Sequence, residues 1–179
     1  VPKKLGAGKL PAPSPLFWMK SPLPDPSKPP LRLLSVVIPA RDEEGCIAST
    51  VEHLHLELSL KKVPHEIIVV DDGSTDGTWA ALQDLASRLN SSLRPIQSPP
   101  PHGFGRAIVR GLDTITGDAV VIMMADESDD CRDVARYWEK LNEGYDCVFG
   151  SRFLKGGGTI DYPPVKWVLN RLANVYIRM

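Results

Sequence analysis

The stretch "VIMMADESDD" (121–130) runs from apolar residues straight into Asp126, Glu127, Asp129 and Asp130. A strand that ends in this way aims carboxylate oxygens into a cleft. They could hold a hard divalent cation that carries a diphosphate, or they could be a solvated acidic loop. The Asp-x-Asp pair expected of such a cation site is incomplete, because Met124 stands where the first aspartate would be. A thioether is a poor ligand for Mg²⁺, so the oxygen chemistry falls to Asp126, with Glu127, Asp129 or Asp130 as helpers. A second acidic stretch is "DDGSTDGT" (71–78). Asp71 or Asp72 can accept hydrogen bonds from a base or ribose, and Gly73 lets a backbone approach closely. The plainer alternative is a polar turn followed by a helix cap. "HGFGRA" (102–107) places two glycines before a helix and suits a flexible loop beside a diphosphate, but it lacks the third glycine of a dinucleotide fingerprint. His102, next to that loop, could touch phosphate. His53 and His55 lie two apart on one expected helix and face different ways, and His65 reads as a surface residue. Trp79, Tyr137 and Trp138 read as packing residues.

The elements that must position these groups alternate. "LLSVVIPA" and "HEIIVVDD" are apolar, β-branched runs that read as buried strands, "LRPIQS" is a weaker third and "DAVVIMMAD" a fourth. "YDCVFGSR" is expected to be the fifth. Helices are expected from about Glu43 to Leu60, over 74–90, from about Arg106 to Ile115, and over 130–144. Alternating strands and helices with nearly continuous apolar strands imply an α/β domain with a mostly parallel sheet. Ligands of such sheets bind beyond the C-terminal strand ends. Residues 39–43, 71–74 and 126–130 are therefore the first places to look. Residues 1–31, with nine prolines before position 31, read as an extended arm without regular structure. Its "LFWM" could dock on something apolar. The domain proper is expected over 32–154. Residues 155–179 are expected to be a loop and a helix, apolar on most of its surface with Lys166, Arg171 and Arg178 interspersed. That helix suits either a membrane interface or a core. It stops without a cap, which reads as a fragment of a longer chain.

Of the 179 residues, 42% are apolar and 24% charged, ordinary values for a globular protein. The net charge of −1 hides an asymmetry. Residues 1–32 hold six Lys/Arg against one Asp, and 152–179 hold five against one, so the acidic charge lies in the middle. That distribution does not suggest a nucleic-acid face. The three cysteines are widely spaced, without C-x-x-C, which argues against a zinc site or a disulfide framework. No run reaches the roughly 18 apolar residues of a membrane span, and no signal-peptide core is present. These features together imply a cytoplasmic-side protein.

Taken together and in order, "VVIPARDEE", "EIIVVDDGSTDGT", "GFGRAIVRGL", "GDAVVIMMAD" and "GYDCVFGSRF" are far more specific than any one of them. The chain resembles the inverting family 2 glycosyltransferases of the GT-A fold over about residues 33–179. Within them it is most similar to the dolichyl- or polyprenyl-phosphate mannose synthases. The tail "GSRFLKGGGTIDYPPVKWVLNRLAN" parallels that family's Gly-rich loop and basic interface helix. The resemblance implies that Pro39, Arg41, Glu43, Asp71, Asp72, Gly73 and Gly105 contact the nucleotide. It implies that Asp126 holds Mg²⁺ or Mn²⁺, and that Arg152, Lys166 and Arg171 serve an acceptor phosphate. Asn174 matches the start of the interface helix together with Arg171. Asp126, Arg152 and Lys166 are the implied catalytic set. Asp42 replaces a frequent Asn, Ser128 a frequent Gln, and Lys166 a usual arginine, which keeps charge but loses the bidentate fork. The implied reaction is sugar transfer, mannose on GDP before UDP-linked sugars, to a polyprenyl phosphate at the cytoplasmic face of a membrane, with inversion. A phosphate acceptor needs no strong base, whereas a sugar hydroxyl needs a carboxylate, for which Asp129 or Asp130 are the candidates. Two alternatives stand beside it: a family 2 transferase with a non-lipid acceptor, and a sugar-nucleotide-binding domain with weakened catalysis. A dehydrogenase is disfavoured, since no strand–G-x-G-x-x-G–helix unit exists.

Overall fold

The computed structural model describes residues 16–17, 25, 27–150, 163, 165–166, 168–170 and 172–173. It divides into two compact units, residues 18–149 and residues 1–17 with 150–179. In the second unit, Leu16–Phe17 is a two-residue strand and the described residues from 165 to 173 are helical. Val165, Val168, Leu169 and Leu172 of that helix are exposed.

The first unit is built on four parallel strands, β1 (Leu34–Ala40), β2 (His65–Asp71), β3 (Leu93–Gln97) and β4 (Ala119–Ile122). Their spatial order is β3-β2-β1-β4. The apolar runs legible in the sequence become these strands because both sheet faces are covered. α1 (Ile47–Leu60), α2 (Thr78–Leu89) and α4 (Cys131–Asn142) cover one face, and their Leu54, Leu58, Leu82, Leu85 and Val134 join Val36, Ile38, Ile67 and Val69 in the main core. α3 (Phe104–Leu112) covers the other, with Ala107 against Val37, Ile68 and Val70. A fully buried leucine of this core contributes about 1.5–3 kcal/mol. Gly111 sets the approach of α3: a Cβ there would meet Val37 Cγ1 at 2.4 Å.

Beyond β1 the chain turns one way to β2 and β3, and the crossover through α3 then returns it to the other side of β1 as β4. The point where direction reverses lies between β1 and β4, and open α/β sheets bind ligands there. Among the described residues β4 is an edge strand, and its Val120 and Ile122, which face the α3 side, are 40% and 47% exposed.

Several elements differ from their expected spans. α1 begins at Ile47 rather than Glu43. β4 stops at Ile122: the Met123 N–H still donates to the Val37 carbonyl (3.0 Å), but Pro39, next along β1, has no N–H with which to continue the ladder. Of the described residues of the expected fifth strand, Phe149–Gly150 are a strand, and they do not join the four-stranded sheet; residues 151–152 lie outside the described residues. The end of the expected arm is held in place. The Asp25 N–H donates to the Gly144 carbonyl, Lys28 pairs with Asp146, and the Leu31 N–H donates to Asn142 Oδ1 at 3.2 Å.

Candidate functional site

At the C-terminal ends of β1 and β2, two loops lace into one another. The Asp42 N–H donates to Ser74 Oγ (3.0 Å), and Asp42 Oδ1 accepts from the Thr75 N–H (2.7 Å). The Glu43 N–H donates to Thr78 Oγ1 (2.8 Å) and the Glu44 N–H to Asp76 Oδ2 (3.1 Å). Glu44 Oε2 accepts from the Gly77 N–H (3.0 Å) in return. These bonds satisfy N–H groups of residues 42–44, and the Glu43 carbonyl accepts from the Cys46 and Ile47 N–H groups in a turn that leads into α1. Asp42 sits at φ 55°, in the left-handed region where a non-glycine residue costs about 1–3 kcal/mol. Glu127 sits at φ 58° on the β4 side.

Asp71 and Asp72 are both buried but differ in use. Asp71 Oδ1 accepts from the Ser74 N–H (3.1 Å) and its Oδ2 from Gln97 Nε2 (3.4 Å), so this carboxylate closes its own turn. The Asp72 N–H donates to the Ala40 carbonyl (2.8 Å), and its Oδ2 accepts from the Gly103 N–H (2.7 Å). Asp72 Oδ1 is buried with no hydrogen-bond partner. Buried acceptors of this kind are rare, and a ligand donor is one thing that completes them. His102 Nδ1 lies 3.4 Å from the same oxygen.

Across the reversal point, β4 delivers Asp126, an exposed residue whose Oδ1 accepts from the Ser128 N–H (3.1 Å). Two bonds tie this segment to α1. Thr50 Oγ1 donates to the Ala125 carbonyl (2.7 Å), and Ser49 Oγ donates to Glu127 Oε1 (2.5 Å). Burial pushes the Cys46 thiol up to about 11, helped by its hydrogen bond to Glu43 Oε2 (3.0 Å) and by the charges of Glu43, Glu127 and Asp126. Glu43, Asp126 and Glu127 thus all lie close enough to Cys46 for their charges to act on its thiol. Asp129 holds the Met124 N–H. Asp130 caps α4 by accepting from the Arg132 N–H (2.9 Å) and pairs with the Arg132 side chain, whose hydrogen bonds hold its carboxyl below the usual carboxylate range. These two carboxylates are engaged in shaping the loop, which makes Asp130 a poor base.

Among the described residues no group of three His, Cys, Asp or Glu side chains converges to hold a metal. The donor set nonetheless fits Mg²⁺ or Mn²⁺, which are commonly bound through one or two carboxylates plus substrate phosphates. Asp126 and Glu127 are exposed carboxylates on the β4 side, and Glu43 is half-buried.

The other expected residues fall as follows. Pro39 is buried within β1, and Arg41 is exposed just beyond it. Gly73 turns the chain at φ 77°, and Gly105 lies exposed in the first turn of α3 rather than in a loop. Lys166 is exposed and helical in the other unit. Arg152, Arg171 and Asn174 lie outside the described residues. No helix among the described residues is long and apolar enough to cross a membrane. One pairing escaped the sequence: His55 Nδ1 is 2.9 Å from His65 Nε2, at the opposite end of the sheet. The open groove beside the site is lined by Ser98, Pro99, Gly103, Phe104, Arg106 and Arg110.

The family model described as glycosyl transferase family 2 matches residues 35–178. A dolichol-phosphate mannosyltransferase of Pyrococcus furiosus is 32% identical over 140 residues, 78% of this chain and 39% of that protein. An undecaprenyl-phosphate 4-deoxy-4-formamido-L-arabinose transferase of Aeromonas hydrophila is 30% identical over 118 residues, 66% of this chain and 36% of that protein. The chain thus spans under two fifths of the length of these curated relatives. Among solved structures, the M. tuberculosis glucosyl-3-phosphoglycerate synthase aligns with a TM-score of 0.51 at 30% identity, covering 63% of this chain and 42% of that one.

Proposed function

The chain belongs to glycosyl transferase family 2 and has its GT-A fold, and from that premise we propose that it transfers a sugar from a nucleoside-diphosphate sugar to a polyprenyl phosphate, with inversion. The observation that carries this reading is the pair of acidic features on either side of the reversal point. On the β2 side is a buried carboxylate with an unused oxygen, Asp72, and on the β4 side an exposed one, Asp126. The names of both curated relatives couple a sugar transfer to a polyprenyl-type phosphate, which supports the acceptor class. GDP-mannose is the donor put first, in line with the mannosyltransferase among them.

In this reading Asp72 Oδ1 accepts a hydrogen bond from the ribose or base of the donor. Asp71 keeps the turn that aims it. Gly73, without a Cβ, lets the His102 ring pack against the turn, and the laced loops 41–46 and 72–78 present the nucleotide with a fixed surface. Asp126, with Glu43 and Glu127, would hold Mg²⁺ or Mn²⁺, which supplies positive charge against the departing diphosphate. The acceptor phosphate is already an anion and attacks without a strong base. Arg152, Lys166 and Arg171 are proposed to hold it, and the exposed apolar residues of the C-terminal helix suit contact with the cytoplasmic face of a membrane. The M. tuberculosis neighbour is named for a phosphoglycerate acceptor, which favours a small phosphorylated acceptor as the second reading.

The test is calorimetric titration of GDP-mannose and UDP-glucose, with and without Mn²⁺, into wild type and Asp126→Ala, followed by sugar transfer to dolichyl phosphate or phosphoglycerate. One donor should bind with Mn²⁺, lose affinity in Asp126→Ala, and pass its sugar to the lipid. Binding that ignores both Mn²⁺ and Asp126 would sink the reading. Transfer to phosphoglycerate alone would move it to the second.

A further inference from the structure

Residues 102 and 103 flank the two oxygens of a single buried carboxylate, one by a hydrogen bond and one by proximity. The Gly103 N–H donates to Asp72 Oδ2 at 2.7 Å, while His102 Nδ1 flanks Oδ1 at 3.4 Å. The opposite edge of the same ring is wedged against Gly73. A Cβ on Gly73 would stand 2.6 Å from both His102 Cε1 and Nε2. Gly73 is also held at φ 77°, a conformation that suits glycine. The ring therefore fills the space that a side chain at position 73 would take. It is 29% exposed, whereas the Asp72 side chain is 5% exposed.

We propose that His102 is a positioning residue for the nucleotide, fixing the Asp72 carboxylate so that Oδ1 faces the incoming ribose or base. The proposal rests on the nucleotide-sugar reading above. Without the ring, Gly103 still holds Oδ2, but the carboxylate can rotate about that bond. Its free oxygen is then no longer presented in one direction, and part of the binding energy goes into ordering it.

The test is a double-mutant cycle on nucleotide affinity. GDP and UDP are titrated, in the presence of Mn²⁺, into wild type, His102→Ala, Asp72→Asn and the double variant. His102→Asn and His102→Phe accompany them, and thermal melts check that each variant folds. His102→Ala should weaken the nucleotide that wild type prefers by about tenfold, within the range of coupled neighbours. In the Asp72→Asn background the same change should have no further effect, because His102 acts through Asp72. His102→Asn, which keeps an N–H donor near the place of Nδ1, should recover most of the affinity. His102→Phe, which keeps only the bulk, should not. Affinity unchanged or tighter in His102→Ala, effects that add to Asp72→Asn, or recovery by Phe as good as by Asn would overturn the proposal while leaving the nucleotide reading intact. If wild type binds neither nucleotide, both fall together.

Discussion

The Thr50 hydroxyl donates to the Ala125 carbonyl at 2.7 Å in a fully buried setting. This bond fastens the first turn of α1 to the residue immediately before Asp126. Thr50→Val keeps the shape and removes the donor, leaving a buried carbonyl unpaired. It should cost about 1–3 kcal/mol, read from urea midpoints, and should weaken Mn²⁺-dependent nucleotide binding as well. Thr50→Ser should restore most of both.

Asp71 and Asp72 should separate cleanly on mutation. Asp72→Asn weakens an acceptor that a ligand uses, and should lower nucleotide affinity about tenfold to a hundredfold, as expected for hydrogen bonds to charged groups. Its melting temperature should change little. Asp71→Ala removes the acceptor of the Ser74 N–H, and should lower stability by about 1–2 kcal/mol before it affects affinity. Equal effects of the two variants on affinity would contradict the division of labour described above.

Met124 is exposed, and the family resemblance puts it where a first metal-binding aspartate is expected. Met124→Asp adds a second hard oxygen donor near Asp126. Mn²⁺ affinity in the presence of nucleoside diphosphate should rise severalfold, measured by the loss of the free Mn²⁺ signal in electron paramagnetic resonance. Met124→Leu should leave it where it is. An unchanged affinity in Met124→Asp would mean that residue 124 does not face the cation.

Glu66 gives a prediction about stability alone, far from the site. Burial acts to raise its pKa, but hydrogen bonds from Ser35 and Thr116 and the charge of Arg94 outweigh that and hold it below the ordinary 4.5. A carboxyl depressed in the folded state stabilises the fold above its unfolded value, and that contribution is lost as pH falls through the folded value. Glu66→Gln should therefore be less stable than wild type at pH 7 by about 1–3 kcal/mol. The gap should shrink as pH is taken below about 4. Urea denaturation across that range measures it.

The strands were legible because each is a short apolar run between turn residues, and burial on both faces leaves little else for such a run to be. The start of α1 was not. Glu43 and Glu44 look like first-turn acids, yet their N–H groups go to Thr78 and Asp76, more than thirty residues away. The roles of Asp71 and Asp72 were equally hidden, since adjacent identical residues differ only in which oxygens the fold has already used. "YDCVFGSR" has the composition of a strand, but among its described residues only Phe149 and Gly150 form one, and they lie outside the four-stranded sheet. The pairing of His55 with His65 depends on how α1 lies against β2, which spacing within a helix cannot show.

The lacing of residues 42–44 with 74–78 bears on how this site could be moved or rebuilt. The two segments supply one another's hydrogen-bond partners, so neither is a self-contained module. Grafting "DDGSTDGT" alone into another scaffold would strand the hydroxyls and carboxylates that Asp42, Glu43 and Glu44 now satisfy. For protein engineering the two stretches are a single cassette, to be exchanged together or left alone.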